Sequence, residues 1–388
     1  MPHPIITALT EVSLPAAAVD LAAFDHNVAV LMAAAADRPV RLATKSVRCN
    51  ALLRRAADAL GDRFVGLMAV SPREALHLAA SGWTDLLIAY PVARQADARP
   101  LVDLARHGIS APIIVDCPAH LDLLAGMAAE AGVELPVALD IDGSLRPLPG
   151  VHLGVRRSPV RSVVQALALA EDVAARPGLS LAGIMLYEAQ IAGLPDAAGP
   201  AIRAVKARSR PHVLTLRRDV VAALRAAGHT LPLVNGGGTG SARFTASDPH
   251  ITELTLGSGL LAPHLFDGYA DLDLRPAAFA ALPVARRSDP DLVTVHGGGY
   301  PASGAMGADR LPVVHAPPDL RPTRLEGFGE VQTPLRGAAH ALDVGDAVLI
   351  RHAKAGELLE RFGEVHLVRD GVIVETVPTW RGEGVDLG

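Results

Sequence analysis

The sequence predicts an α/β protein, an eight-stranded parallel (β/α)8 barrel of the TIM type followed by a β-rich C-terminal domain, and three observations lead there. Short apolar runs recur through the first two thirds of the chain with longer helix-patterned stretches between them. Those runs are continuous rather than alternating, as expected of parallel strands covered on both faces. Beyond about Pro276 the helical periodicity fades, and short β-branched runs separated by Gly and Pro take over. The change in texture places the barrel at residues 15–272 and the β-rich domain at 1–14 plus 273–388.

Taken in order, the strand-like runs are Ala17–Asp20, Val40–Thr44, Val65–Ala69, Asp85–Ala89, Ile113–Asp116, Val137–Asp142, Leu181–Leu186, Leu233–Asn235 and Thr252–Leu256. Nine runs are one more than the barrel needs, so the first is assigned either to the neighbouring domain or to a crossover from it. After the third run Ser71 can cap a helix, Pro72 suits its first position, Glu74 completes a capping box and Gly82 can end it. In the last third Leu292–Val295, Ala347–Ile350, Val365–Val368 and Val372–Val377 read as strands. Asp370-Gly371 between the last two supplies the positive backbone angles of a type I′ hairpin.

Composition narrows the function. Lys plus Arg number 36 against 41 Asp plus Glu, a net charge of -5, so there is no basic field for nucleic acid. Aromatics are only 3%, too few for base-stacking surfaces, and a small-molecule substrate fits better. Two cysteines in so long a chain cannot form a disulfide framework, which points to free thiols and a cytoplasmic setting. Charge, Pro or Gly interrupts every apolar stretch well before the ~20 residues of a membrane span, and no basic region precedes the first apolar runs as in a secretory signal.

Polar residues at the ends of barrel strands are the first candidates for chemistry, because parallel barrels build their sites at the strands' C-terminal edge. Lys45 ends the second run. A partly desolvated lysine there can form a Schiff base with an aldehyde, while the alternative is a snorkelling surface side chain. After the eighth run, Asn235-Gly236-Gly237-Gly238-Thr239-Gly240-Ser241 can turn backbone amides and hydroxyls toward a phosphate, and Gly257-Ser258-Gly259 can add more. Neither stretch has the spacing of a P-loop or of a dinucleotide fingerprint.

A mouth lysine, a late-loop phosphate nest and a trailing β domain together suggest pyridoxal 5'-phosphate. The matching segments are Ala43-Thr44-Lys45-Ser46-Val47-Arg48-Cys49, His152 to Pro159, Tyr187 to Gly193, Asn235 to Ser241, and Arg351 to Glu357. With them the sequence resembles the alanine racemase-like, fold type III pyridoxal phosphate enzymes, in the branch of D-threonine aldolase and D-serine dehydratase, and within it the bacterial amino acid deaminase/aldolase proteins. The resemblance implies that Lys45 bonds the cofactor and moves protons at the substrate, and that Arg157 faces the pyridine nitrogen. A permanently charged guanidinium there makes the ring a weaker electron sink. Which of Arg156 and Arg157 turns inward stays open. Tyr187 and Gln190 match residues lining the cofactor face, and Asn235, Gly237, Gly238, Thr239, Gly257 and Ser258 belong to the phosphate end. A homodimer is implied as well.

One departure stands out. Relatives hold a divalent metal through a His and, two residues on, a Cys or Asp, whereas here His352 is followed by Lys354. An ammonium is no metal ligand, so no metal is expected, although Glu330, His352 and Glu357 are conceivable ligands. Instead Lys354 is expected to hold the substrate's β-hydroxyl or carboxylate, with His352 as acid or base on the β-oxygen. The alternative for Lys354 is an ion pair with Glu357 or Glu330.

The function expected is retro-aldol cleavage of a D-configured or α-substituted β-hydroxy-α-amino acid by a metal-independent lyase. β-Elimination in a dehydratase ordinarily needs a Lewis acid for the departing hydroxide and ranks second. A racemase, for which Tyr300 is a candidate second base, ranks third, and a non-catalytic cofactor carrier ranks last.

Overall fold

The computed structural model describes residues 3–385, which divide into two compact units. One holds the stretches 31–44 and 60–257, and the other holds 3–30, 45–59 and 258–385.

The first unit is the barrel. Its parallel strands are β2 (Val40–Ala43), β3 (Phe64–Ala69), β4 (Leu86–Ile88), β5 (Ile113–Val115), β6 (Leu135–Asp140), β7 (Leu179–Leu186), β8 (Leu233–Gly236) and β9 (Glu253–Leu256), numbered after β1 (Ala16–Asp20) of the other unit. They pair in chain order, and β9 returns to β2 to close the ring. Strand alternation turns Met68, Leu87, Ala89, Ile114, Ala138, Met185 and Leu233 into one apolar cluster. The helix after β3 starts as its sequence predicts: Ser71 Oγ accepts from the amide of Glu74 at 3.2 Å, and Gly82 follows its end at φ +84°. The Glu74 carboxylate reaches back to the Val70 amide at 3.0 Å and also takes the Thr44 hydroxyl, so the cap doubles as a tie to the end of β2.

A polar layer crosses the same interior. Arg41 of β2 clasps Glu253 of β9 through two bonds of 2.6 and 2.8 Å, and Asn235 of β8 donates to Glu253 at 2.7 Å and to Thr255 at 2.8 Å. Arg41, Glu253 and Asn235 are all under a tenth exposed, and the bidentate geometry compensates for moving both charges out of water.

The second unit is a nine-stranded sheet with path β13-β14-β11-β10-β1-β16-β17, to which β15 adds by pairing with β10 and β12. These strands are β10 (Ala278–Asp289), β11 (Leu292–His296), β12 (Val313–Ala316), β13 (Arg321–Pro322), β14 (Gln332–Arg336), β15 (Ala347–Arg351), β16 (Glu364–Arg369) and β17 (Val372–Pro378). β1 lies between β10, antiparallel, and β16, parallel. The surplus ninth run therefore belongs to the sheet, and the barrel strands begin at Val40 rather than just after residue 15. The short N-terminal helix Pro4–Ala8 buries Ile5, which packs with Leu9 against Ala18, Phe279, Leu349 and Val368. The β16–β17 hairpin turns through Asp370 and Gly371 at φ +52° and +77°, both left-handed as its dipeptide predicts.

Replacing Glu253 by Ala strands a buried guanidinium, and it is expected to lower unfolding stability by about 3–5 kcal/mol. Urea denaturation followed by far-ultraviolet circular dichroism measures this, and a loss under about 1 kcal/mol would mean that the exposed Asp85, whose carboxylate is 2.7 Å from Arg41, suffices as partner.

Candidate active site

Because the barrel strands are parallel, Asp140, Tyr187, Gly237 and Gly257, each at or one residue past the C-terminal end of β6, β7, β8 or β9, stand on one rim. The glycine-rich loop after β8 is shaped by a residue that the sequence reading passed over. Glu188, wholly buried, accepts from the Gly237 amide at 3.2 Å and from the Ser241 hydroxyl at 3.1 Å, and it also takes the Thr245 hydroxyl. Its charge is met by Arg217, equally buried, which also binds Asp248 at 2.7 Å and lies 3.3 Å from Glu188. A signal for this existed: Val213, Arg217, Val220, Val221 and Leu224 lie on the buried side of the helix Pro200–Ala226, and a charged residue among these apolar ones calls for a buried partner.

This network corrects part of the predicted phosphate nest. The Gly237 amide and the Ser241 hydroxyl are turned to Glu188 and not outward, and the Asn235 amide belongs to the barrel's interior layer. What remains is the stretch from Gly238 into the 3-10 turn Thr239–Ser241 and the helix Ala242–Ala246, where the Ser241 amide donates to the Gly238 carbonyl at 3.0 Å. Gly238 cannot be replaced cheaply. A Cβ there would meet the Ala192 Cβ at 2.9 Å and Cε2 of Tyr187 at 3.4 Å, so the loop lies flat against the tyrosine ring. Gly257 is buried one residue beyond β9, and Ser258 opens a 3-10 turn in the other unit.

Over the same ring lies Arg157, its guanidinium carbon 5.8 Å from the centroid. Arg156 instead lines a surface groove with Arg146, Leu148 and His152, so Arg157 is the one that turns toward the rim. Burial raises the Tyr187 pKa, and the Glu188 charge adds to this, keeping the phenol protonated. Burial also pushes Asp140 up to about 7, with the neighbouring Asp116 charge reinforcing the shift and Arg157 opposing it. Gln190 is buried, and its Nε2 donates to the Gly143 carbonyl at 2.7 Å, which braces the segment beyond β6.

The sheet unit carries the lysine. Lys45 sits in the 3-10 turn Thr44–Ser46, two residues past the end of β2 in the chain, with its side chain exposed. The segment that follows it is pinned within this unit. Gly356 lies so close that a Cβ would be 2.5 Å from the Ser46 carbonyl carbon, the Trp380 amide donates to the Arg48 carbonyl at 3.0 Å, and Arg48 pairs with Glu360. The turn after β15 is thus seated on the lysine turn.

Within that turn the two predicted residues differ in fate. His352 is 3% exposed; one ring nitrogen, Nε2, lies 2.7 Å from the Ala355 carbonyl, while Nδ1 is buried without a partner. Burial drops its pKa to about 4, so it is neutral and donates through Nε2 to its own loop. An acid–base role on a substrate is at odds with this geometry, because neither nitrogen is presented to solvent. Lys354 is half-exposed and donates to the Ser303 carbonyl and hydroxyl at 3.3 and 3.4 Å. It pairs with neither Glu357, which accepts from the Ser303 amide at 3.0 Å, nor the exposed Glu330. Tyr300, the candidate second base, lines a cleft of about 710 Å³ with Glu357 and Arg361, and burial raises its pKa. Glu330, His352 and Glu357 do not come together as a ligand group; among the described residues only Asp116, Cys117 and His120 do.

Comparison with known proteins follows the same outline. Residues 19–262 match the family model for the alanine racemase N-terminal domain. Over 373 residues the chain is 26% identical to a D-threonine aldolase of an Arthrobacter species, covering 94% of this chain and 91% of that one. It is 25% identical to the 3-hydroxy-D-aspartate aldolase of Paracoccus denitrificans over 250 residues, 64% of this chain and 60% of the other. Two solved structures share the fold across 96% of this chain: a D-threonine aldolase from Filomicrobium marinum, with TM-score 0.82, 24% identity and 96% of its own chain covered, and D-threo-3-hydroxyaspartate dehydratase from Delftia sp. HT23, with TM-score 0.75, 20% identity and 98% covered. With more than half of its length inside the family model, this chain belongs to the alanine racemase N-terminal domain family.

Proposed function

We propose that the protein is a pyridoxal phosphate-dependent lyase that cleaves a D-configured or α-substituted β-hydroxy-α-amino acid into an aldehyde and a smaller amino acid. One observation carries the reading. On the rim of the barrel the glycine-opened turn beyond Gly238, the Tyr187 ring and the Arg157 guanidinium follow one another, with a tight backbone turn at one end, a flat apolar surface beside it and a cation over that surface. The strip matches a flat phosphorylated pyridine in shape and charge, and a Cβ on Gly238 would collide with Ala192 beside the ring. Named relatives that are aldolases support the same reading.

When bound, the coenzyme withdraws electrons from the bond that breaks at the substrate's α carbon. The chain's own residues do the rest. Lys45, exposed and amine-bearing, attaches the coenzyme and takes the proton that cleavage releases. Arg157 cannot give up its proton at neutral pH, so it holds the pyridine side positive without protonating it. Lys354, on the turn seated against the lysine turn, places an ammonium for the substrate's carboxylate or β-oxygen. His352 fixes that turn through Ala355 and touches no substrate.

Cleavage ranks above dehydration because of Lys354. Loss of hydroxide calls for a Lewis acid at the β-oxygen, and an ammonium at the second ligand position repels a cation there. Retro-aldol cleavage needs only a base and a place for the developing charge. The reading includes a homodimer working in the cytoplasm, the first part of which sedimentation measures directly.

Incubated with coenzyme and reduced with borohydride, the protein should acquire a stable label on the peptide that carries Lys45, and Lys45→Ala should show neither label nor the visible absorbance. A label on another lysine overturns the assignment. Lys354→Ala should lower kcat/KM for the cleaved substrate about 10- to 100-fold, the loss expected for a hydrogen bond to a charged group. Unchanged turnover would remove Lys354 from the reaction. Release of ammonia and a keto acid, in place of an aldehyde, would favour the dehydratase.

A further inference from the structure

Three side chains of metal-binding type meet where β5 ends, and a fourth, Asp140, ends the neighbouring strand β6. In register, Val115 lies opposite Leu139, so Asp116 and Asp140 follow as neighbours across the strand pair. Their alternation continues that of Ile114 and Ala138, which face the barrel interior. Adjacent strands run about 4.8 Å apart, and like charges directly opposite one another are destabilising unless something positive lies between them. Asp140 is 9% exposed, and among the described residues no hydrogen bond or ion pair engages its carboxylate. Asp142, two residues on, shows the contrast: its oxygens accept from the Ser144 amide at 2.9 Å and from Arg146 at 2.8 Å. Arg157, the nearby cation, acts on Asp140 through space and makes no ion pair with it, because its head lies over Tyr187.

Cys117 and His120 complete the group. With Asp116 they bring one ligand atom each within 4.8 Å of one another, and His120 Nδ1 is 3.1 Å from an Asp116 oxygen. Cys117 occupies the N-cap of the helix Pro118–Ala131 yet makes no capping hydrogen bond, and its thiol is free and partly exposed. A cap position without a cap bond leaves the sulfur available.

We propose that Asp116, Cys117 and His120, together with Asp140, bind one late first-row divalent cation, Zn²⁺ or Co²⁺, at the barrel mouth. One thiolate, one imidazole and two carboxylates are a borderline-soft set suited to tetrahedral Zn²⁺, and they disfavour Mg²⁺ and Mn²⁺, which prefer all-oxygen octahedra. The cation neutralises the facing carboxylates and ties the start of the helix Pro118–Ala131 to the end of β6. The proposal does not depend on the proposed reaction.

The test is a Co²⁺ titration of the full chain, stripped with chelator and kept reduced, followed by optical spectroscopy and metal analysis. One Co²⁺ per chain is expected, with tetrahedral visible bands and a thiolate-to-cobalt charge-transfer band in the near ultraviolet. Cys117→Ser should abolish the charge-transfer band, and His120→Gln and Asp140→Asn should each weaken binding by at least the about 10–100-fold that loss of an outer-shell partner costs. Asp140→Asn keeps the side chain's size, and circular dichroism shows that each variant is folded. The proposal is overturned if the folded wild type takes up no Co²⁺ or Zn²⁺. It is overturned equally if Cys117→Ser and His120→Gln keep the wild-type affinity and band, or if Mg²⁺ competes on equal terms with Zn²⁺.

Discussion

A carboxylate with no access to water, Glu188, governs the shape of the barrel rim. Burying it is costly unless every lone pair is met, and here an amide, two hydroxyls and a guanidinium meet them. Because two of those donors come from the glycine loop, the loop's bend follows from the carboxylate's needs. The loop is consequently held against the Tyr187 ring. Arg217 closes the arrangement by pairing with both Glu188 and Asp248, so the rim is braced from the helix Pro200–Ala226.

The lysine obeys a different constraint. It follows a barrel strand in the chain, yet the residues after it form their contacts with the loops of the sheet unit. Gly356 is needed there because any side chain would collide with the Ser46 backbone. That same contact seats Lys354 beside the lysine turn.

In the turn after β15 the two polar residues differ in surroundings. The His352 ring is buried, with Nε2 tied to the carbonyl of Ala355 three residues on. Lys354, two residues along, donates to the Ser303 carbonyl and hydroxyl.

Sequence alone determined what short-range physics controls. Continuous apolar runs alternating with helical stretches specify parallel strands under helices, and Ser71 and Asp370-Gly371 act through their own backbones, so barrel, cap and hairpin were legible before any coordinates. Lys45 was singled out from its place at the end of the second run, and Tyr187 and Arg157 from the family motifs that contain them. Tertiary structure decided the partners of buried polar groups, which lie far apart along the chain: Arg41 with Glu253 across 212 positions, Glu188 with Arg217 across 29, and β1 with β10 and β16. An isolated Asn235, Gln190 or His352 looks the same in sequence whether it faces a ligand or a carbonyl of its own fold. Only the closed barrel and the paired sheet settle which acceptor is within reach once water has been excluded.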